Sequence, residues 1–165
     1  MIITEMYRKG IGVEIDAEKA ASHCLAAASK GNPFAQYNIG AMFMNGDGVE
    51  KNTEQGTEWL LRSTNNLLES AIELYNQGKL EEALERAQMS LKIYSDLGPG
   101  ARGLVRITSL VGAIYGELGK VEMSQRFFKM ATEFACEMEE QDEELLASLD
   151  KTYKEMLVKN NQPTE

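Results

Sequence analysis

The segment Tyr7-Arg8-Lys9-Gly10-Ile11-Gly12-Val13 returns as Phe43-Met44-Asn45-Gly46-Asp47-Gly48-Val49, every residue displaced by thirty-six places. The same offset relates Ala20 to Gly56 and Leu25 to Leu61. A period of this size, with small residues at matched places, marks stacked helix pairs, in which each pair buries its apolar face only against its neighbours. The expected fold is therefore all-α: a right-handed helix-pair solenoid closed by a C-terminal capping helix. Such a stack makes extended open surfaces rather than enclosed pockets, so the expected role is a binding module.

Composition narrows the partners. No uninterrupted apolar run in the 165 residues approaches the length of a membrane span, and Met1 to Met6 lack the basic start and apolar stretch of a signal peptide. A cytoplasmic protein is expected. A net charge of -9 argues against a nucleic-acid backbone or an anionic membrane as the main partner and leaves proteins and peptides. Cys24 and Cys136 lie far apart in sequence and are expected as free thiols in a reducing compartment. The sole histidine, His23, adjoins Cys24, and neighbours on a helix point about 100° apart, so the two make no catalytic dyad.

The remaining polar motifs have structural explanations. Gly10-Ile11-Gly12 and Gly46-Asp47-Gly48 follow helices rather than strands, which suits tight turns of positive φ and not phosphate-binding loops. Asn45, Asp47, Glu50 and Asn52 resemble part of a calcium loop, but Lys9 and Ile11 stand at the matching places of the first copy. No metal, cofactor or enzymatic activity is expected. The acidic stretch from Glu133 to Glu144 reads as a solvated helix end, with a docking patch for a basic partner as the alternative.

The helices can be followed in order. Asp16 is a suitable N-cap for a helix with the stripe Ala17, Ala20, Ala21, Cys24, Leu25 and Ala28, ending at Gly31 in a left-handed conformation. Pro33 then opens a helix carrying Phe34, Tyr37, Met42 and Phe43, with Ile39 and Gly40 toward a neighbour. Asn52 and Gln55 form a capping box before Trp59, Leu60 and Leu61. The first pair is incomplete and leaves an apolar end around Ile2, Ile3 and Met6, which invites self-association.

The run Ala35-Gln36-Tyr37-Asn38-Ile39-Gly40-Ala41-Met42-Phe43, then Gly46-Asp47-Gly48-Val49 and Trp59, resembles the Sel1-like repeat, as do Gly10-Ile11-Gly12-Val13, Ala20 and Ala27-Ala28 in the partial copy. The resemblance covers roughly the first sixty residues. It departs at Gly56, where the family usually has alanine, and a mid-helix glycine costs about 1 kcal/mol relative to alanine. Beyond Ser63 the pattern is similar to tetratricopeptide repeats: Ala71, Leu74, Tyr75, Gly78, Lys79, Leu80 and Ala83 in one copy, Gly112, Tyr115, Gly119, Lys120, Val121 and Ser124 in the next, with forty-one residues between Gly78 and Gly119. Long second helices are expected over Leu80 to Tyr94 and Val121 to Met138, with a break at Leu97-Gly98-Pro99-Gly100. The expected division is 1–63 for the Sel1-like part, 64–141 for two tetratricopeptide-like repeats, 142–160 for a capping helix opened by Asp142, and 161–165 for a frayed tail. Ser63-Thr64-Asn65-Asn66 contains no helix breaker, and Leu60, Leu61, Leu67, Leu68, Ala71 and Leu74 keep helical phase across it. Two separate helices and one rod from Thr53 to Tyr75 both fit.

In tetratricopeptide-like arrays the first helix of each pair lines the concave face. Carried over, this implies a groove of Tyr37, Met44 and Asn45, then Leu68, Ile72, Tyr75 and Asn76, then Arg106, Ser109, Ala113 and Glu117. The resemblance implies an adaptor or scaffold holding a peptide or helix of another protein there. Ile72 and Ala113 stand where the family's carboxylate-clamp variant has asparagine, so capture of an acidic C-terminus is not expected. Two alternatives are a homo-oligomer, formed through the N-terminal end or a fused central helix, and a small-amide hydrolase, for which no nucleophile, base and orienter occur together.

Overall fold

The computed structural model describes residues 2–97, 102–137 and 143–160. Among them are eight helices and no strand: α1 (Ile2–Lys9), α2 (Ala17–Ser29), α3 (Pro33–Asn45), α4 (Thr53–Asn76), α5 (Leu80–Leu97), α6 (Arg102–Glu117), α7 (Val121–Cys136) and α8 (Glu143–Asn160). The chain is all-α and built of helix hairpins. It divides into two units, Met1–Asn66 and Leu67–Glu165.

In the first unit the thirty-six-residue repeat is written into the hydrogen bonds of the turns. The amide of Ile11 donates to the Met6 carbonyl and that of Asp16 to Tyr7; thirty-six residues on, Asp47 donates to Met42 and Asn52 to Phe43. Asp16 caps α2 by accepting from the Lys19 amide at 2.9 Å, and Asn52 caps α4 by accepting from the Gln55 amide at 3.0 Å. The expected capping box at Asn52 is half made, because the Asn52 amide is already donated to Phe43. Gly10, Gly12, Gly46 and Gly48 all take positive φ, as turns of this hand require.

The first core is made of small residues: Ala20, Ala21, Cys24, Ala28 and Ala35 with Ile39 and Met42. Small side chains let backbones approach, and α3 and α4 meet through glycines. A Cβ on Gly56 would lie 2.8 Å from the Met44 side chain and 3.0 Å from the Gly40 carbonyl oxygen. The departure from the family's alanine at Gly56 is thus matched to a close helix contact that alanine would crowd. Leu25 and Leu61, matched by the offset, are 37% and 38% exposed, so they repeat on an outer face and not in the core stripe expected for Leu25.

Polar side chains also tie this unit together. Ser63 Oγ donates to the Pro33 carbonyl at 2.8 Å, Asn66 Nδ2 to Gln36 Oε1 at 2.8 Å, and Gln36 Nε2 to the Ala28 carbonyl at 3.2 Å. Thr64 Oγ1 donates back to the Leu61 carbonyl at 2.7 Å. Both buried hydroxyls are satisfied inside a helix that runs on unbroken, so of the two readings at Ser63 the single rod is the one observed.

The second unit repeats at forty-one residues. Gly78 donates to Tyr75, Lys79 to Leu74 and Ala83 to Lys79; Gly119 donates to Gly116, Lys120 to Tyr115 and Ser124 to Lys120. Its core is bulkier, with Leu68, Tyr94, Leu104, Ile107, Val111, Ile114 and Tyr115 in one cluster and Val105, Phe128, Leu149 and Met156 in another. Helix α6 packs against α5 and α7, and α8 packs against both α6 and α7. Gly112 makes room for the Phe128 ring, and Gly116 for Met156 of α8. Helix α7 ends at Cys136, two residues before the expected Met138. The expected break at Gly98-Pro99-Gly100, the Asp142 cap, residues 138–142 of the acidic stretch and the frayed tail from 161 onward lie outside the described residues.

Candidate functional site

In the second unit, helical spacing brings one row from each of three helices to a common concavity of about 390 Å³. Helix α4 contributes Leu68, Ile72, Tyr75 and Asn76, α6 contributes Arg106, Ser109, Leu110 and Ala113, and α8 contributes Ser148, Leu149 and Thr152. Seven residues expected in the groove from the sequence, Leu68, Ile72, Tyr75, Asn76, Arg106, Ser109 and Ala113, therefore share one surface. Leu68 is only 3% exposed and belongs to the core beneath it. Glu117, one turn beyond Ala113 on α6, is held by an ion pair with Lys159 of α8, whose ammonium is raised above its ordinary range by that hydrogen bond. Burial pushes the Tyr75 phenol up and the Glu117 charge adds to this, with Lys159 pulling the other way. Tyr75 is a neutral hydroxyl at physiological pH.

The residues that sequence reasoning missed are on α8. Helix α8 packs against both α6 and α7, so it adds a wall to the concavity and is not only a cover. Its Ser148, Leu149 and Thr152 then form the third wall. The hydroxyls of Ser109 and Thr152 donate to Arg106 and Ser148 carbonyls of their own helices at 2.9 Å each. Arg106 is exposed and has no ion pair among the described residues.

The first unit has its own concavity of about 620 Å³, lined by Thr4, Glu5 and Arg8 of α1, Asn38, Ala41 and Asn45 of α3, and the Gly46-Asp47-Gly48 turn. Of Tyr37, Met44 and Asn45, only Asn45 lines it. The facing row on α3 is Asn38, Ala41 and Asn45; Tyr37 lies off that row, and Met44 is turned into the glycine contact with α4. Glu5 bonds Arg8 at 2.7 Å and Lys9 at 2.8 Å, and the Lys9 hydrogen bond holds its carboxyl below the usual range. A further concavity of about 760 Å³ between α7 and α8 is floored by Phe128, Leu146, Leu149 and Tyr153 and carries charges of both signs, Glu122, Arg126, Lys129 and Asp150.

His23 and Cys24 point apart. His23 is exposed and stacks on Tyr7 with ring centroids 5.6 Å apart, while the buried Cys24 thiol donates to the Ala35 carbonyl at 3.3 Å. Burial pushes that thiol up, which keeps it protonated. Among the described residues no group of three or more His, Cys, Asp or Glu is placed to hold a metal ion, and no helix is long and apolar enough to cross a membrane.

The Sel1 repeat family model matches residues 5–32 and again residues 33–66. A Sel1 repeat protein from Oxalobacter formigenes, known from its crystal structure, is similar at 22% identity over 99% of this chain and 65% of that one, with a TM-score of 0.39. The chain thus spans just under two thirds of the length of that protein's structure. No curated protein matches. Sel1 repeats as a group mediate protein–protein interaction. The boundary between the two matched stretches, at residue 32/33, falls at the Asn32 cap and the Pro33 start of α3, and the stretches follow one another without a gap.

Proposed function

We propose that this protein is an interaction module that holds a peptide or helix of a partner protein on the concave face formed by α4, α6 and α8. The observation that carries this reading is the composition of that face: an apolar floor of Ile72, Leu110, Ala113 and Leu149 beside polar Asn76, Arg106, Ser109, Ser148 and Thr152. Apolar pockets supply affinity by burial, and peripheral polar groups fix the register of a bound backbone. The two Sel1 repeats support the same class of role, since proteins of this type are in general non-enzymatic scaffolds.

Site-specific crosslinking tests it. A photoreactive side chain placed at position 72 of the groove is expected to capture a discrete partner from the source cell's lysate, and one placed at exposed Glu85 on α5 is expected to capture none. Capture at position 85 with none at position 72 overturns the reading.

A further inference from the structure

Resting on that reading of the α4–α6–α8 face, we infer that the bound segment presents an internal acidic side chain, flanked by apolar residues, to Arg106. Among the described residues that line this concavity, Arg106 is the one with a formal charge, and it is a cation in a chain whose net charge is -9. Glutamates and aspartates are abundant enough to neutralise it, yet no described residue does; the nearest acid on its own helix toward the groove's end, Glu117, is taken by Lys159. A guanidinium offers a planar fork that matches a carboxylate's two oxygens, and against a partly apolar floor such a pair is stronger than in open water.

The neighbouring groups narrow the ligand further. Ser109 and Thr152 have already donated their hydroxyl protons to their own helices. The side-chain donors left are Arg106, exposed Asn76 and the hydroxyls of Tyr75 and Ser148, while Ile72, Leu110 and Ala113 are apolar. One fork suits a single carboxylate, and the amide and hydroxyls beside it suit backbone carbonyls. A phosphate dianion would meet only one cation, and a basic segment would meet a like charge. The apolar residues on either side of Arg106 call for Leu, Ile or Phe flanking the acid. An internal acid, rather than a chain end, is indicated because Ile72 and Ala113 supply no further donors for a free terminus.

The test is selection of a random 12-residue phage-displayed peptide library on the full chain and on Arg106→Glu, Arg106→Gln and Ile72→Glu variants, each first shown to keep its helical circular dichroism. Peptides selected on the unaltered chain are expected to share one Asp or Glu flanked by apolar residues. As amidated synthetic peptides they should bind Arg106→Gln about tenfold more weakly and Arg106→Glu weaker still. Replacing the acid by lysine should restore binding to Arg106→Glu. Selected peptides without an acid, or acidic peptides indifferent to Arg106, overturn the inference while leaving the groove reading standing if Ile72→Glu still abolishes binding. Peptides indifferent to Ile72→Glu, or a selection that yields none, overturn both.

Discussion

The two units use the same hairpin but different packing. In the first, helices meet through alanine and glycine, with Gly40 and Gly56 at the α3–α4 contact and Ala20, Ala21 and Ala28 in the core. In the second, Ile107, Val111, Ile114, Tyr94 and Tyr115 fill the space between helices. Where backbones touch, the structure is sensitive to added atoms; where side chains interdigitate, it is sensitive to lost ones. The surfaces differ too: Ile3, Ile11, Ile15, Leu25 and Leu61 are exposed on the first unit, against Met123 and Val158 on the second.

Substitutions of opposite kind break or sharpen this contrast. Trp59, the sole tryptophan, lies in the first unit, so its fluorescence in urea follows that unit while far-ultraviolet circular dichroism follows both. The largest effect is expected from Gly48→Ala, about 4 kcal/mol, because a Cβ there would run into the Ala17 carbonyl and the φ of +70° is strained for alanine. Ile114→Ala, wholly buried in the second core, should cost about 3 kcal/mol by leaving a cavity, visible in circular dichroism. Gly56→Ala should destabilise the first unit by about 1–2 kcal/mol, the crowding of Met44 and the Gly40 carbonyl outweighing the gain in helix propensity. Stabilisation there would show that the α3–α4 contact has room.

Gly12→Ala provides the control for Gly48. Its φ is +74° but nothing lies within 4 Å of the added carbon, so only the backbone strain remains, about 1 kcal/mol. If Gly12→Ala and Gly48→Ala cost the same, the Ala17 contact contributes nothing. Least of all is expected from Lys159→Ala: the ion pair with Glu117 is exposed, and denaturation midpoints should be unchanged within error.

The turns were the most legible part of the sequence, because their chemistry is local. Glycines at fixed places demand positive φ, and Asp16 and Asn52 cap the amides that follow them whatever the rest of the chain does. The unbroken α4 was legible only as one of two alternatives, since what holds Ser63 inside a helix is the distant Pro33 carbonyl. Of the residues expected in the groove, those on α4 and α6 other than Glu117 line one concavity in the second unit, whereas on α3 only Asn45 lines that of the first. There the rotation of α3 is set by the glycine contact with α4, which draws Met44 inward and leaves Asn38, Ala41 and Asn45 facing the concavity. Gly56 reads as a weak helix residue until the opposing Gly40 carbonyl is seen at its side. The contribution of α8 was not legible, because a helix expected as a cap was given no face toward the concavity, and only its packing on α6 and α7 brings Ser148, Leu149 and Thr152 there.

Amide chemical-shift mapping on the isotope-labelled full chain, titrated with a peptide selected on it, tests the central claim most directly. The account predicts that shifts concentrate at Ile72, Tyr75, Asn76, Arg106, Ser109 and Thr152. Shifts confined to Gln125, Lys129 and Tyr153 of the α7–α8 concavity, or to α1 and α3 of the first unit, would contradict it.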